Sequence, residues 1–418
     1  MMHKEKVRIA LVGNMNNNHT ALLYGFLGMG MDADLFLGSR EGFQPSAEPY
    51  YPEIVGRLHY CVEAWPEANS LIWLMNNAGR LHTLVNTLKT YDLVTYCYNL
   101  HALFLFCRLH VPAVWLPYGH DYDLLFNKHV IPGPFQPKPS LKSLARYAQN
   151  LLLELPTRHF LEHRLTAIAG NYGDLQRRNT RNKLAVLQKH LNLGFYCVDY
   201  TRWFPRPAFQ PEKPFIVIST ARHIWKDRPA DDISYKGNDL VIRAFAAFLH
   251  AHVAPCAVLQ LFEKGQDVDA SKQLIEELGI ASQVHWFPTL PRGEVQQHLS
   301  KASVYLGQFA QNKVSKIKVN YGMSEIEAAM FGIPAITYFD RTMPEIFPGK
   351  EMPPFLYAEN VEDIAEHLTA LYSQPSIRVE FAEKERAWYE RHHGKGVLEK
   401  LLELSGKREP SPRGMTGE

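Results

Sequence analysis

Short apolar runs alternate with amphipathic stretches along this chain, and that alternation constrains its fold more than any other feature. In the first half the runs are Val7–Val12, Asp34–Leu37, Leu93–Tyr96, Ala113–Leu116 and Ala167–Ile168. In the second half they are Phe215–Ser219, Ala257–Phe262, Val284–Phe287, Val304–Leu306 and Ala335–Tyr338. Short continuous apolar runs read as strands covered on both faces. The helical periodicity between them predicts crossover helices, hence parallel α/β architecture. The series restarts near Phe215, after the proline-bearing stretch Pro205–Pro214. At 418 residues the chain also exceeds the usual size of one hydrophobic core. We therefore expect one domain over 1–207 and a second over 208–377, then helices over 378–405 and a polar, disordered tail over 406–418.

The second half is the clearer one. Gly237–His250, Ala270–Leu278, Arg292–Ser300 and Val361–Tyr372 read as helices, followed by Arg378–His393 and Val397–Leu404. A net charge of +2 gives no support for nucleic-acid binding. Cys61, Cys97, Cys107, Cys197 and Cys256 are odd in number and widely spaced, with no Cys-x-x-Cys pair. They predict reduced, mostly buried thiols in a cytoplasmic protein. The N-terminal apolar run is too short for a signal-peptide core. The best candidate span, Leu100–Leu116, is interrupted by His101, Arg108, His110 and Pro112. One region stands apart: in 136–164, Lys138, Lys142, Arg146, Arg158 and Arg164 flank Leu151–Leu153. That pattern reads as an ordinary surface helix, or as a basic amphipathic face resting on anionic lipid at the inner side of the cytoplasmic membrane.

Two stretches carry chemistry. Ser324–Thr337 (SEIEAAMFGIPAIT) predicts a short helix with Ser324 as N-cap, Glu325 and Glu327 in its first turn, Gly332 as its stop, and a strand after it. In a doubly wound sheet such helix N-termini line the ligand crevice, and their free N–H groups suit a pyrophosphate. Upstream, Arg222 ends the first strand of the second domain, and Lys236-Gly237 opens its first helix. Both cations therefore project from a strand-to-helix loop, where they would neutralise a leaving diphosphate. Lys226, in the insert Trp225–Tyr235, is a rival for the phosphate role.

These residues resemble a known family, the retaining GT-B glycosyltransferases that build bacterial surface glycans (family four, glycosyl transferases group 1). The resemblance rests on Arg222, Lys236-Gly237, the run Glu327-Ala328-Ala329-Met330-Phe331-Gly332-Ile333-Pro334, and the junction Asp199–Pro207. It implies two Rossmann-like doubly wound domains facing a cleft, with C-terminal helices returning to the first. It also implies transfer of a sugar, with retention, from a nucleotide-diphosphate sugar to a hydroxyl of a glycan or lipid-linked acceptor. By resemblance, Glu327 holds the donor ribose, and Arg222 and Lys236 hold the phosphates. The resemblance also implies that the first loop, GNMNNN, faces donor phosphate and acceptor through Gly13, Asn14 and Asn16. Gly13 would let the backbone approach a ligand, and the amides would meet sugar hydroxyls; a plain polar turn is the competing reading of Asn16–Asn18.

The first domain adds Pro117-Tyr118-Gly119-His120-Asp121, similar to the family's His-Gly-Ser-Asp, with Tyr118 where His is usual. Tyr118, His120 and Asp121 are acceptor-side candidates, and His120 is a candidate for orienting donor or acceptor. The family's usual second Glu falls at Val319, inside the basic run that holds Lys313, Lys316 and Lys318. Those lysines would meet an acidic sugar, or form a solvated loop. Asp121-Tyr122-Asp123 imitates an Asp-x-Asp metal motif, and Asp231-Asp232 lies in the insert. Because two cations and a helix end already supply the charge, we expect neither metal nor cofactor beyond the nucleotide sugar. Two alternatives stay open: an inactive nucleotide-sugar-binding scaffold, and a GT-B nucleotide-sugar epimerase.

Overall fold

The computed structural model describes residues 6–40, 45–65, 71–117, 141–170, 189–207, 214–228, 234–251, 256–309, 321–342 and 344–407. Its contacts cluster into two compact units. The first holds Met1–Pro45, Pro52–Tyr196 and Lys395–Glu418; the second holds Ser46–Tyr51 and Cys197–Gly394.

The first unit is built on seven strands: β1 (Arg8–Val12), β2 (Asp32–Gly38), β3 (Leu58–Val62), β4 (Leu93–Tyr96), β5 (Ala113–Trp115), β6 (Ala167–Gly170) and β7 (His190–Asn192). They form one sheet in the order β3-β2-β1-β4-β5-β6-β7, and every paired neighbour is parallel. Its core gathers Val12, Phe36, Val94, Tyr96, Phe104, Trp115 and Phe160. The strand order reverses between β1 and β4, which is where an open α/β sheet forms its crevice.

The second unit carries β8 (Phe215–Ile218), β9 (Ala257–Phe262), β10 (Val284–Phe287), β11 (Val304–Leu306), β12 (Ala335–Thr337) and β13 (Leu356–Tyr357). Their order is β10-β9-β8-β11-β12-β13, again all parallel, with the reversal between β8 and β11. The helices Asn238–His250 and Val361–Ser373 bury Val241, Phe245, Phe248, Ile364 and Leu368 against this sheet. Each unit is thus a doubly wound α/β domain.

Three corrections to the sequence reading follow. The units divide at 196/197, not 207/208, because Tyr200 packs on Tyr50 and bonds Glu48, both in the second unit. Of the C-terminal helices only Lys395–Glu403 belongs to the first unit; Pro375–His392 stays with the second, where it packs on Met323–Phe331. Among the cysteines, Cys97 and Cys197 are buried, Cys61 and Cys107 partly so, and Cys256 is exposed, so the thiols are not mostly buried.

Within region 136–164 the described helix is Leu141–His163; Lys138 lies outside the described residues. Leu153, Phe160 and Leu161 are buried, while Leu152 and Leu155 face outward beside an exposed Arg158–Glu162 pair. No helix among the described residues is long and apolar enough to cross a membrane.

Candidate functional site

Both reversals of strand order place candidate residues at the carboxyl ends of strands. In the first unit, Gly13 follows β1 at φ +79°, and a Cβ there would lie 2.6 Å from Cys97 Sγ and from the Tyr98 ring. Tyr98 itself is left-handed, at φ 65°. Close approach of the β4 end therefore demands glycine before any ligand does. Gly13→Ala should lower stability by about 2–4 kcal/mol, from the positive φ and the overpacking together, as measured by chemical unfolding.

The amides have structural work of their own. Asn14 is buried; its Oδ1 accepts from Thr20 N at 2.9 Å, and its Nδ2 donates to Asn17 Oδ1 at 3.1 Å. That Oδ1 satisfies a first-turn N–H of the helix Asn18–Gly28, the task an N-cap side chain usually performs. Asn16 and Asn17 are left-handed at φ 56° and 60°, a region that asparagine tolerates better than most residues. Beneath the loop sits His19, which sequence reasoning missed. Its Nδ1 donates to Gly13 O at 2.7 Å, leaving Nε2 to accept from Thr95 Oγ1 at 3.2 Å. Burial lowers its pKa to about 4, so the ring is neutral. Tyr118, His120 and Asp121 lie outside the described residues, as do Lys313, Lys316, Lys318, Val319 and Asp231-Asp232.

In the second unit the expected cations do meet. Arg222 is exposed after β8, and Lys236 is partly buried just before the helix Asn238–His250, whose N-cap is Gly237 at φ +73°. Burial and then the charge of Arg222 lower the Lys236 pKa, while Glu325 pulls it the other way. Two neighbouring cations with a partly desolvated ammonium form a site that an anion would relieve. Lys226 is exposed, and its backbone N–H is tied to Asp267 Oδ2 at 3.1 Å.

Gln308, also missed by sequence reasoning, organises this corner. Its Oε1 accepts from Lys236 Nζ at 2.8 Å, and its N–H donates to Glu325 Oε1 at 3.0 Å. Its carbonyl accepts from Thr337 Oγ1 at 3.0 Å and from Tyr338 N at 3.1 Å. The helix that follows is Met323–Phe331, with Gly322 as N-cap; Ser324 is its second residue and not its cap. Glu325 instead reaches back, accepting from Gly322 N at 3.0 Å. Glu325 is fully buried; Ser324 Oγ donates to it, and the one Thr337 hydroxyl proton is shared between it and the Gln308 carbonyl. Its carboxylate fastens the loops around β11 and β12 to this helix. Gly332 closes the helix at φ 63°, in the left-handed stop the sequence predicted.

Glu327 lies one turn along, with its side chain 12% exposed, and pairs with Arg292 Nη2 at 2.7 Å. Arg292 Nη1 donates to Glu48 Oε1 at 3.0 Å, and Tyr200 donates to Glu48 Oε2 at 2.7 Å. Neither Arg292 nor Glu48 carried a readable signal, since Glu48 is distant in sequence and Arg292 merely opens a helix. Among the described residues, no cluster of His, Cys, Asp and Glu is arranged to hold a metal ion.

Two doubly wound parallel sheets, the second with two cations and a helix N-terminus at its strand-order reversal, are the pattern of the GT-B fold class. Residues 231–388, within the second unit, match the family model described as glycosyl transferases group 1. Solved structures agree in fold. A glycosyltransferase of Rickettsia africae superposes with a TM-score of 0.58 at 12% identity, covering 96% of this chain and 98% of the other. HepE of Anabaena, in complex with UDP, gives 0.56 at 12% identity, covering 96% and 100%. The lipopolysaccharide outer core galactosyltransferase WaaB, in its apo form, gives 0.51 at 14%, covering 96% and 99%. No curated protein sequence matches the chain significantly.

Proposed function

We propose that this protein transfers a sugar from a nucleotide-diphosphate sugar to a hydroxyl of a glycan or lipid-linked acceptor, with retention and without a metal ion. The observation that carries the reading is the convergence of Arg222, Lys236 and the Met323–Phe331 N-terminus, with Glu327 one turn further along. The diphosphate binds the cations and the free N–H groups, which stabilise the negative charge that develops as the glycosidic bond breaks. Glu327 accepts hydrogen bonds only, so it suits the ribose hydroxyls and not the phosphates. UDP is the first nucleotide to try, because the HepE structures hold UDP, UDP with glucose, and UDP-glucose. Leu152 and Leu155 beside Arg158 support peripheral contact with anionic lipid.

Thermal melting with UDP, GDP, ADP, dTDP and CMP, with and without EDTA, tests the donor site. One nucleoside diphosphate should raise the melting temperature in wild type but not in Glu327→Ala, with or without EDTA. An EDTA-sensitive shift would contradict metal independence, and no shift with any of them would favour the inactive scaffold. Gln308→Leu removes the acceptor that holds Lys236 in place. It should weaken nucleotide binding about tenfold with the fold retained, as measured by calorimetry.

A further inference from the structure

The carboxylate of Glu327 is oriented by other side chains. Its Oε1 is held by Arg292 Nη2, while its Oε2 makes no hydrogen bond among the described residues. Arg292 is held in turn, because its Nη1 is bonded to Glu48, whose side chain is 2% exposed. The remaining Glu48 oxygen accepts a hydrogen bond from the hydroxyl of Tyr200, a fully buried residue. The Tyr200 ring also lies 5.4 Å from the guanidinium carbon. A planar guanidinium with separate nitrogens on two carboxylates fixes both in direction, as an ammonium would not. The segment that supplies Glu48, Ser46–Tyr51, follows β2 in sequence yet belongs to the second unit.

We propose that Tyr200, Glu48 and Arg292 are positioning residues that aim the Glu327 carboxylate at the 2′- and 3′-hydroxyls of the donor ribose. This rests on the reading of Glu327 as the ribose ligand. The four groups carry two carboxylates against one guanidinium, so the set keeps a net negative charge and attracts hydroxyl donors. A carboxylate held in one direction receives two adjacent hydroxyls without first losing rotamer freedom.

The test is calorimetric binding of whichever of UDP, GDP or ADP the wild type takes, beside its 2′,3′-dideoxy counterpart. Wild type should prefer the ribose form by about tenfold to a hundredfold. Glu327→Gln, Arg292→Gln and Glu48→Gln should each reduce that preference to a fewfold or less, with the dideoxy affinity kept. Tyr200→Phe removes one hydroxyl and should give an intermediate loss, and it serves where a polar variant melts early. Arg292→Lys keeps the charge but loses the planar fork whose separate nitrogens fix the direction of each carboxylate, so the preference should stay lost. Loss with Glu327→Gln but full preference in Arg292→Gln and Glu48→Gln would overturn the positioning role alone, as would full recovery in Arg292→Lys. A wild type without preference, or binding none of the three, would overturn the ribose reading itself.

Discussion

Replacing Arg222 and Lys236 by alanine should each weaken binding of the nucleoside diphosphate about tenfold to a hundredfold, the loss expected for one proposed charge-assisted contact to phosphate. The double variant should lose less than the product of the two. The charges already oppose one another in the free protein, so removing Arg222 relieves Lys236. The lowered Lys236 pKa gives the same site a pH signature. Affinity should decline at a lower pH than an ordinary lysine would dictate, and Arg222→Ala should move that decline upward. Calorimetry across pH 7 to 10 checks both statements; exact additivity with an unmoved pH profile would separate the two cations.

The second large effect is acid lability. His19 and His101 are fully buried, and burial lowers their pKa values to about 4 and about 3; His223 falls to about 4 for the same reason. Below pH 6.5 the unfolded chain protonates these rings, whereas the folded chain does so only near the lowered values. Stability is therefore complete above pH 6.5 and is lost as pH falls toward 4. At pH 5 each ring costs about 2 kcal/mol, so three together approach the whole stability of an ordinary domain. Melting temperature should fall steeply between pH 6.5 and 4.5. His101→Phe places a non-titrating ring among Tyr96, Trp115 and Phe160, next to which His101 already sits. It leaves the Tyr96 hydroxyl without its partner at 2.7 Å, which lowers stability at pH 7.5. The difference between pH 7.5 and pH 5 should nevertheless shrink by about 2 kcal/mol. An unchanged difference would show that His101 does not titrate with unfolding.

The strands buried on both faces were legible because apolar continuity is their signature. Ala257–Phe262 and Val304–Leu306 match residue for residue, and so does the edge strand Val284–Phe287, whose run VHWF keeps three apolar residues of four. The strands that escaped, β3, β7 and β13, all lie at sheet edges. There one side is open, and sequences such as LHYCV and HLN lose the continuous apolar pattern. Site residues divide in the same way. Arg222 and Lys236 could be placed because each sits at a fixed offset from a strand or helix end. Gln308 could not, since its role depends on four hydrogen bonds to parts of the chain far apart in sequence. Ser324 misled because serine favours N-caps, yet the cap is Gly322, whose N–H donates to Glu325 inside the helix. The loop GNMNNN looked chemical by composition. Its glycine and left-handed asparagines also answer to steric crowding and a sharp turn.

The most direct test is a crystal structure of the full chain with UDP, or with whichever nucleoside diphosphate stabilises it. The diphosphate should lie within hydrogen-bond distance of the Arg222 guanidinium, Lys236 Nζ and the first N–H groups of Met323–Phe331, with the ribose hydroxyls on Glu327. A nucleotide bound elsewhere, with Arg222 and Lys236 facing only solvent, would contradict the assignment of this corner as the donor site.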